Sequence, residues 1–152
     1  MRVLIIDDSA VMRKIVESAL RHSGLRLDEV LQAANGMEGL AAIEKAASDD
    51  EPVDLILCDV HMPGMDGLGF LLDKPLRNLA PGVPVVMITA DATDPHLLRA
   101  IAAGAQGYIS KSFTVQQVRA ILSSVLGNAG EDLRLKQVRD TWVDTETMRG
   151  PL

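Results

Sequence analysis

The sequence is poor in cysteine: Cys58 stands alone among 152 residues. A single thiol excludes an intrachain disulfide framework and suits a reducing compartment. Basic residues are also in the minority, 15 against 21 acids, which leaves a formal net charge of -6. That balance argues against nucleic acid or an anionic membrane surface as the main partner. No apolar run approaches the length needed to span a bilayer. The first such run, Val3-Leu4-Ile5-Ile6, is too short for a secretory signal and is closed by Asp7 and Asp8. Internal repeats and internal linkers are missing as well. Together these absences predict a soluble cytoplasmic protein that spans no membrane.

What is present suits one domain with a full core. The chain is 47% hydrophobic and 24% charged, ordinary values for a globular protein. It is organised around Leu55-Ile56-Leu57-Cys58-Asp59, an apolar run ending on one acid. Pro63, Gly64 and Gly67 follow at once as turn formers. Such a run reads as a strand buried on both faces. Its last residue then projects into the crevice at the carboxyl edge of a parallel sheet, where ligands of open α/β sheets bind. A carboxylate there is costly unless something cationic meets it.

The rest of the chain repeats the pattern. Residues 3–6 form a buried strand stopping at Asp7-Asp8, and Ser9 caps the helix that follows. Val11, Met12, Ile15, Val16, Ala19 and Leu20 recur on it at helical spacing, with Gly24 as the stop. Residues 29–34 form a weaker strand. Asn35 and Glu38 open an Ala-rich helix running to about Ala47. Beyond Asp59, a helix over 66–78 contains Pro75, which predicts a kink or an early end. Residues 83–88 form a buried strand ending at Thr89. Asp94-Pro95 starts a helix whose apolar face is Leu97, Leu98, Ile101 and Ala102. Residues 106–110 form a short strand delivering Lys111. Thr114 and Gln117 make a capping box for the last core helix, which closes at Gly127. Five strands alternating with five helices mean an α/β fold, a parallel sheet covered by helices on both faces.

In a doubly wound sheet the strand ends share one edge. Asp7, Asp8 and Asp59 would converge there and repel one another. A hard divalent cation relieves that repulsion, and Mg²⁺ favours a few carboxylates with waters and phosphate oxygens. Lys111 adds a positive charge, and Thr89 a hydroxyl. Cation, lysine and hydroxyl around one carboxylate suit phosphoryl transfer, where positioning and charge neutralisation supply the catalysis. Asp59 is the nucleophile in this reading.

Asp7-Asp8, the run Asp59-Val-His-Met-Pro-Gly-Met-Asp-Gly, Thr89-Ala90 and Lys111 resemble the receiver domain of two-component response regulators, of the chemotaxis-type single-domain kind. The likeness covers about residues 2–127, with every motif in order. It implies the flavodoxin-like strand order 2-1-3-4-5. It also implies that Asp59 accepts a phosphoryl group from a phosphohistidine on a histidine kinase or phosphotransfer protein, and that a downstream protein target reads the result. By position, Asp8 and Asp59 would bind Mg²⁺ directly, Asp7 through water, and the His61 backbone carbonyl would complete the protein ligands. Thr89 and Lys111 would hold the phosphoryl oxygens. Thr89 and Tyr108 would form the switch pair, a two-state element biased by the new charge. A receiver promotes only its own phosphorylation and dephosphorylation, so no classical enzyme is expected.

Three departures stand out. Ser112 follows Lys111 where the family commonly has a proline with a cis peptide. A cis bond before a non-proline costs about 2.5–4 kcal/mol, so a trans Lys111–Ser112 bond is expected. His61 sits two residues past the acceptor, where the family tunes its dephosphorylation rate; its ring reads as a solvated loop group, and His22 and His96 read as surface residues. Pro75 disturbs the third helix. Ser112 keeps open a phosphorylation-independent scaffold. A phosphatase working through an aspartyl phosphate is the other alternative, disfavoured because its second acid would stand where His61 is. Residues 128–152 form a charged tail in which Leu135, Val138 and Trp142 line one side of a short helix or belong to a disordered extension. Docking of that tail on a second copy would give a homodimer.

Overall fold

This computed structural model describes residues 1–127. Strands β1 (Arg2–Ile6), β2 (Glu29–Ala33), β3 (Leu55–Asp59), β4 (Val85–Thr89) and β5 (Gly107–Ser110) alternate with helices α1 (Ala10–His22), α2 (Gly36–Ser48), α3 (Gly67–Leu76), α4 (Pro95–Ala102) and α5 (Val115–Leu126). All pairings are parallel, in the order β2-β1-β3-β4-β5. The central strands are apolar on both sides because both sides are covered. Alternation divides them: Leu4, Ile6, Ile56, Cys58 and Met87 face α2, α3 and α4, whose Leu40, Ile43, Phe70, Leu71 and Leu97 complete one core. Val3, Ile5, Leu55, Leu57, Val86 and Ile88 face α1 and α5, with Leu20, Val118, Ile121 and Leu122. The sheet is thus the middle of three layers, and its carboxyl edge is left open for polar groups.

Local chemistry sets the ends of the helices. The side chains of Ser9, Asn35, Asp66, Asp94 and Thr114 each accept a backbone N–H in the first turn of α1 to α5 respectively. At α5 the box is complete: Gln117 N–H donates to Thr114 Oγ1 at 3.1 Å, and Thr114 N–H to Gln117 Oε1 at 2.9 Å. Thr114→Ala is expected to cost about 1 kcal/mol in urea denaturation; an unchanged midpoint would mean that α5 is held by its packing alone.

Several expectations are corrected. β4 begins at Val85, not at residue 83, since Pro84 has no N–H for the ladder and serves only as acceptor, from Ile56 N–H at 3.0 Å. α3 runs through Pro75 by one residue and ends at Leu76, the early end anticipated for it. The apolar stripes of two helices are wider than what is buried. On α1, Val16, Ala19 and Leu20 are buried, but Val11 and Ile15 are exposed. On α4, Leu97 and Ala100 are buried, while Leu98 and Ile101 are exposed. The described residues contain no cis peptide, so Lys111–Ser112 is trans as expected. The expected helix or extension in the tail lies outside the described residues, and so does any dimer contact made by it. Among the described residues, no helix is long and apolar enough to cross a membrane.

Candidate functional site

Asp7 and Asp8 follow β1, Asp59 ends β3, Thr89 ends β4 and Lys111 follows β5, so one edge of the sheet gathers all five. The backbone fixes them there. Asp7 N–H donates to Ala33 O at 3.0 Å, Val60 N–H to Ile88 O at 3.1 Å, and Lys111 N–H to Thr89 O at 2.7 Å. Side chains at the ends of neighbouring parallel strands then have little room to diverge. Asp7 is 0% exposed and Asp59 and Thr89 are each 2% exposed, while Asp8 stands in solvent.

Lys111 reaches over this edge, its Nζ donating to Asp59 Oδ2 at 3.1 Å and lying 3.8 Å from Asp7 Oδ2. One ammonium faces two buried carboxylates. Asp7 Oδ1 accepts from Ser9 N–H at 2.9 Å, but its Oδ2 is buried without a hydrogen-bond partner. Burial raises the pKa of Asp7 above the ordinary value; the Ser9 N–H and Lys111 oppose this, and Asp59 and Asp8 add to it. Burial likewise raises Asp59 against the hydrogen bond and charge of Lys111 and the His61 backbone N–H. The edge is therefore short of positive charge. Asp7, Asp8 and Asp59 each offer a carboxylate oxygen, all within 4.8 Å of one another. An orphaned buried oxygen in an all-carboxylate set fits a hard, oxygen-seeking dication.

Two other expected groups behave differently. The Thr89 hydroxyl lies at the edge but is turned into its own loop: it donates to Asp91 O at 2.9 Å and accepts Asp91 N–H at 3.1 Å. Tyr108 is half-buried in β5 beside Met87 of β4, packed against the core on the α4 side. Cys58 is buried, its thiol pushed well up by burial, which leaves it a small core group. Sequence reasoning missed Arg13, whose Nη1 donates to Asp7 O at 2.6 Å and whose Nε donates to Gln32 Oε1 at 3.0 Å. Its position one turn beyond the Ser9 cap was the available signal.

The His61 ring corrects the sequence reading. It is exposed but not merely solvated, since its Nε2 is paired with Asp94 Oδ2. His96 Nδ1 sits 3.0 Å from Asp94 Oδ1, and the two imidazoles meet edge to face with centroids 4.8 Å apart. Hydrogen bonding, first from His61 and then from the His96 N–H, holds the Asp94 carboxyl down at about 2.

A family model described as the response regulator receiver domain matches residues 3–123. The chemotaxis protein CheY homolog of Campylobacter jejuni is 32% identical over 127 residues, covering 84% of this chain and 93% of that protein. The solved structure of the Vibrio cholerae chemotaxis protein CheY4 is 31% identical, with a TM-score of 0.69, covering 82% of this chain and 97% of that one. The receiver domain of the histidine kinase CKI1 from Arabidopsis thaliana, solved in complex with Mg²⁺, is 26% identical, with a TM-score of 0.65, covering 81% of this chain and 90% of that one. The chain belongs to the response regulator receiver domain family. It is a phospho-acceptor module of two-component signalling, a role that favours neither the scaffold nor the phosphatase alternative.

Proposed function

We propose that Asp59 is the phosphoryl acceptor and that a histidine kinase or phosphotransfer protein is the donor. A carboxylate oxygen of Asp59 attacks phosphorus, the P–N bond of the phosphohistidine breaks, and the imidazole leaves with the electron pair. The observation that carries this reading is the Lys111 Nζ on Asp59 Oδ2 at 3.1 Å, inside a carboxylate cluster whose buried Asp7 oxygen is unsatisfied. Asp7, Asp8, Asp59 and the His61 carbonyl are the groups that would hold Mg²⁺, which when bound neutralises charge on the phosphoryl oxygens. Lys111 pairs with the same oxygens. The Thr89 hydroxyl exchanges its bond to Asp91 O for one to the phosphoryl group. Tyr108, beside Met87 of β4 and packed against the core, follows that movement as the second member of the switch pair. The output is an altered face for a downstream protein target, with no direct nucleic acid contact. Residues 1–127 act as the receiver unit of a cytoplasmic protein.

The test is intact mass after incubation with Mg²⁺ and acetyl phosphate, wild type beside Asp59→Ala. One added phosphoryl mass in wild type alone is expected. No gain in wild type, repeated with a phosphorylated histidine kinase as donor, would overturn the assignment.

A further inference from the structure

The chain has three histidines, and two of them converge on one carboxylate. We propose that His61, Asp94 and His96 form a second metal site, for a borderline transition-metal dication such as Zn²⁺, on the rim of the phosphoryl pocket and separate from the aspartate cluster.

The donors come from two loops that the sheet brings together. His61 lies between β3 and α3, two residues past Asp59, and Asp94 and His96 begin α4, so 33 residues separate His61 from Asp94. One ring nitrogen of His61, one of His96 and one Asp94 oxygen lie within 4.8 Å of one another. In a tetrahedral zinc site, ligand atoms about 2.0–2.2 Å from the ion are roughly 3.3 Å apart. Small rotations of the two imidazoles close that difference, while Asp94 is held in place as the helix cap. The side chains of His61 and His96 are 57% and 46% exposed, and that of Asp94 15%. A helix cap needs one carboxylate oxygen, and Asp94 Oδ1 serves that need by accepting His96 N–H at 2.9 Å. The second oxygen and both rings exceed what the cap requires.

The donor chemistry selects the ion. Two imidazoles and a carboxylate suit Zn²⁺, Cu²⁺ or Ni²⁺, whereas Mg²⁺ seeks oxygen and gives up water reluctantly. Three protein ligands leave an open position for water or an added group. The positive end of α4 opposes a cation, and the Asp94 charge offsets it. His61 would serve this ion by its ring and the aspartate cluster by its backbone carbonyl. A bound ion would tie the loop after Asp59 to the start of α4. Binding itself does not depend on Asp59 accepting phosphate, so the two readings fail separately.

The test is titration of the untagged 152-residue chain with ZnCl₂, by calorimetry, in excess Mg²⁺ so that the aspartate cluster is already served. One equivalent is expected to bind, with the His61 and His96 ring protons shifting in NMR while those of His22 stay put. His61→Gln and His96→Gln should each weaken binding about tenfold or more, and His22→Gln should leave it unchanged. The two weakening variants sit on exposed positions, and circular dichroism verifies that they fold. Wild-type affinity in either the His61 or the His96 variant, displacement of Zn²⁺ by further Mg²⁺, or no binding at all would each overturn the proposal.

Discussion

Asp59→Asn is expected to lose all phosphoryl incorporation and yet to melt higher than wild type in EDTA at pH 7.5. The gain should be about 1–2 kcal/mol, or roughly 2–8 °C in Tm. The reason is the shortage of positive charge at the sheet edge. Burial raises the pKa of both Asp7 and Asp59 above their ordinary value of 3.8. Between that value and the raised one, the folded protein holds protons that the unfolded chain has released. Stability therefore falls as pH rises through this window, and the full cost of ionisation is present above it. Asparagine keeps the shape of the protonated acid and removes the charge. Lys111 loses one partner but keeps Asp7 at 3.8 Å. The advantage should shrink as the pH is lowered toward that ordinary value, where wild type regains protons, and also when Mg²⁺ is added, because the wild-type cluster then has its counter-charge. Thermal melts at pH 7.5 and through a descending pH series, with and without Mg²⁺, decide it. A variant melting at or below wild type in EDTA at pH 7.5 would show that Lys111 alone balances the cluster.

Much of this site was legible because its signals are local. A buried strand announces itself by an apolar run, and the acid ending it is conspicuous; parallel topology then brings such ends together without any detailed packing. The caps at Ser9, Asn35, Asp94 and Thr114 were readable for the same reason, since each bonds within its own first turn. Periodicity gives the direction of a helix face but not its width. α1 and α4 lie on a sheet that receives one narrow row, Val16-Ala19-Leu20 or Leu97-Ala100, and the neighbouring row with Ile15 or Leu98 is left in solvent. The pairing of His61 with Asp94 and the turn of the Thr89 hydroxyl onto Asp91 O had no local signature. The first depends on how two loops meet, and the second on one rotamer.

The close approach of α3 to β3 leads to the largest expected loss of stability. Gly67→Ala should destabilise the protein by about 3 kcal/mol, the upper end of the usual cost of forcing a methyl group into a packed site. A Cβ on Gly67 would stand 2.5 Å from Asp59 O, 2.7 Å from Met87 Cε and 3.2 Å from Val60 Cα. The methionine can turn away, but the other two atoms are backbone at the end of the central strand. Asp59 is in register with Ile88 of β4, and Val60 N–H is bonded to Ile88 O at 3.1 Å, so the strand end cannot retreat without breaking the sheet. Nor can the helix lift, because Gly67 N–H donates to Val60 O at 3.1 Å and Phe70, one turn on, is fully buried. Gly64→Ala is the matching control. Nothing lies within 4 Å of its Cβ, and only the positive φ of 76° opposes it, at about 1 kcal/mol. Urea denaturation of both variants separates a steric clash from backbone strain. A Gly67→Ala loss no larger than that of Gly64→Ala would mean that α3 can move away from β3. Phosphoryl incorporation in Gly67→Ala should fall as well, because the displaced carbonyl belongs to Asp59 itself and the displaced Val60 leads on to His61.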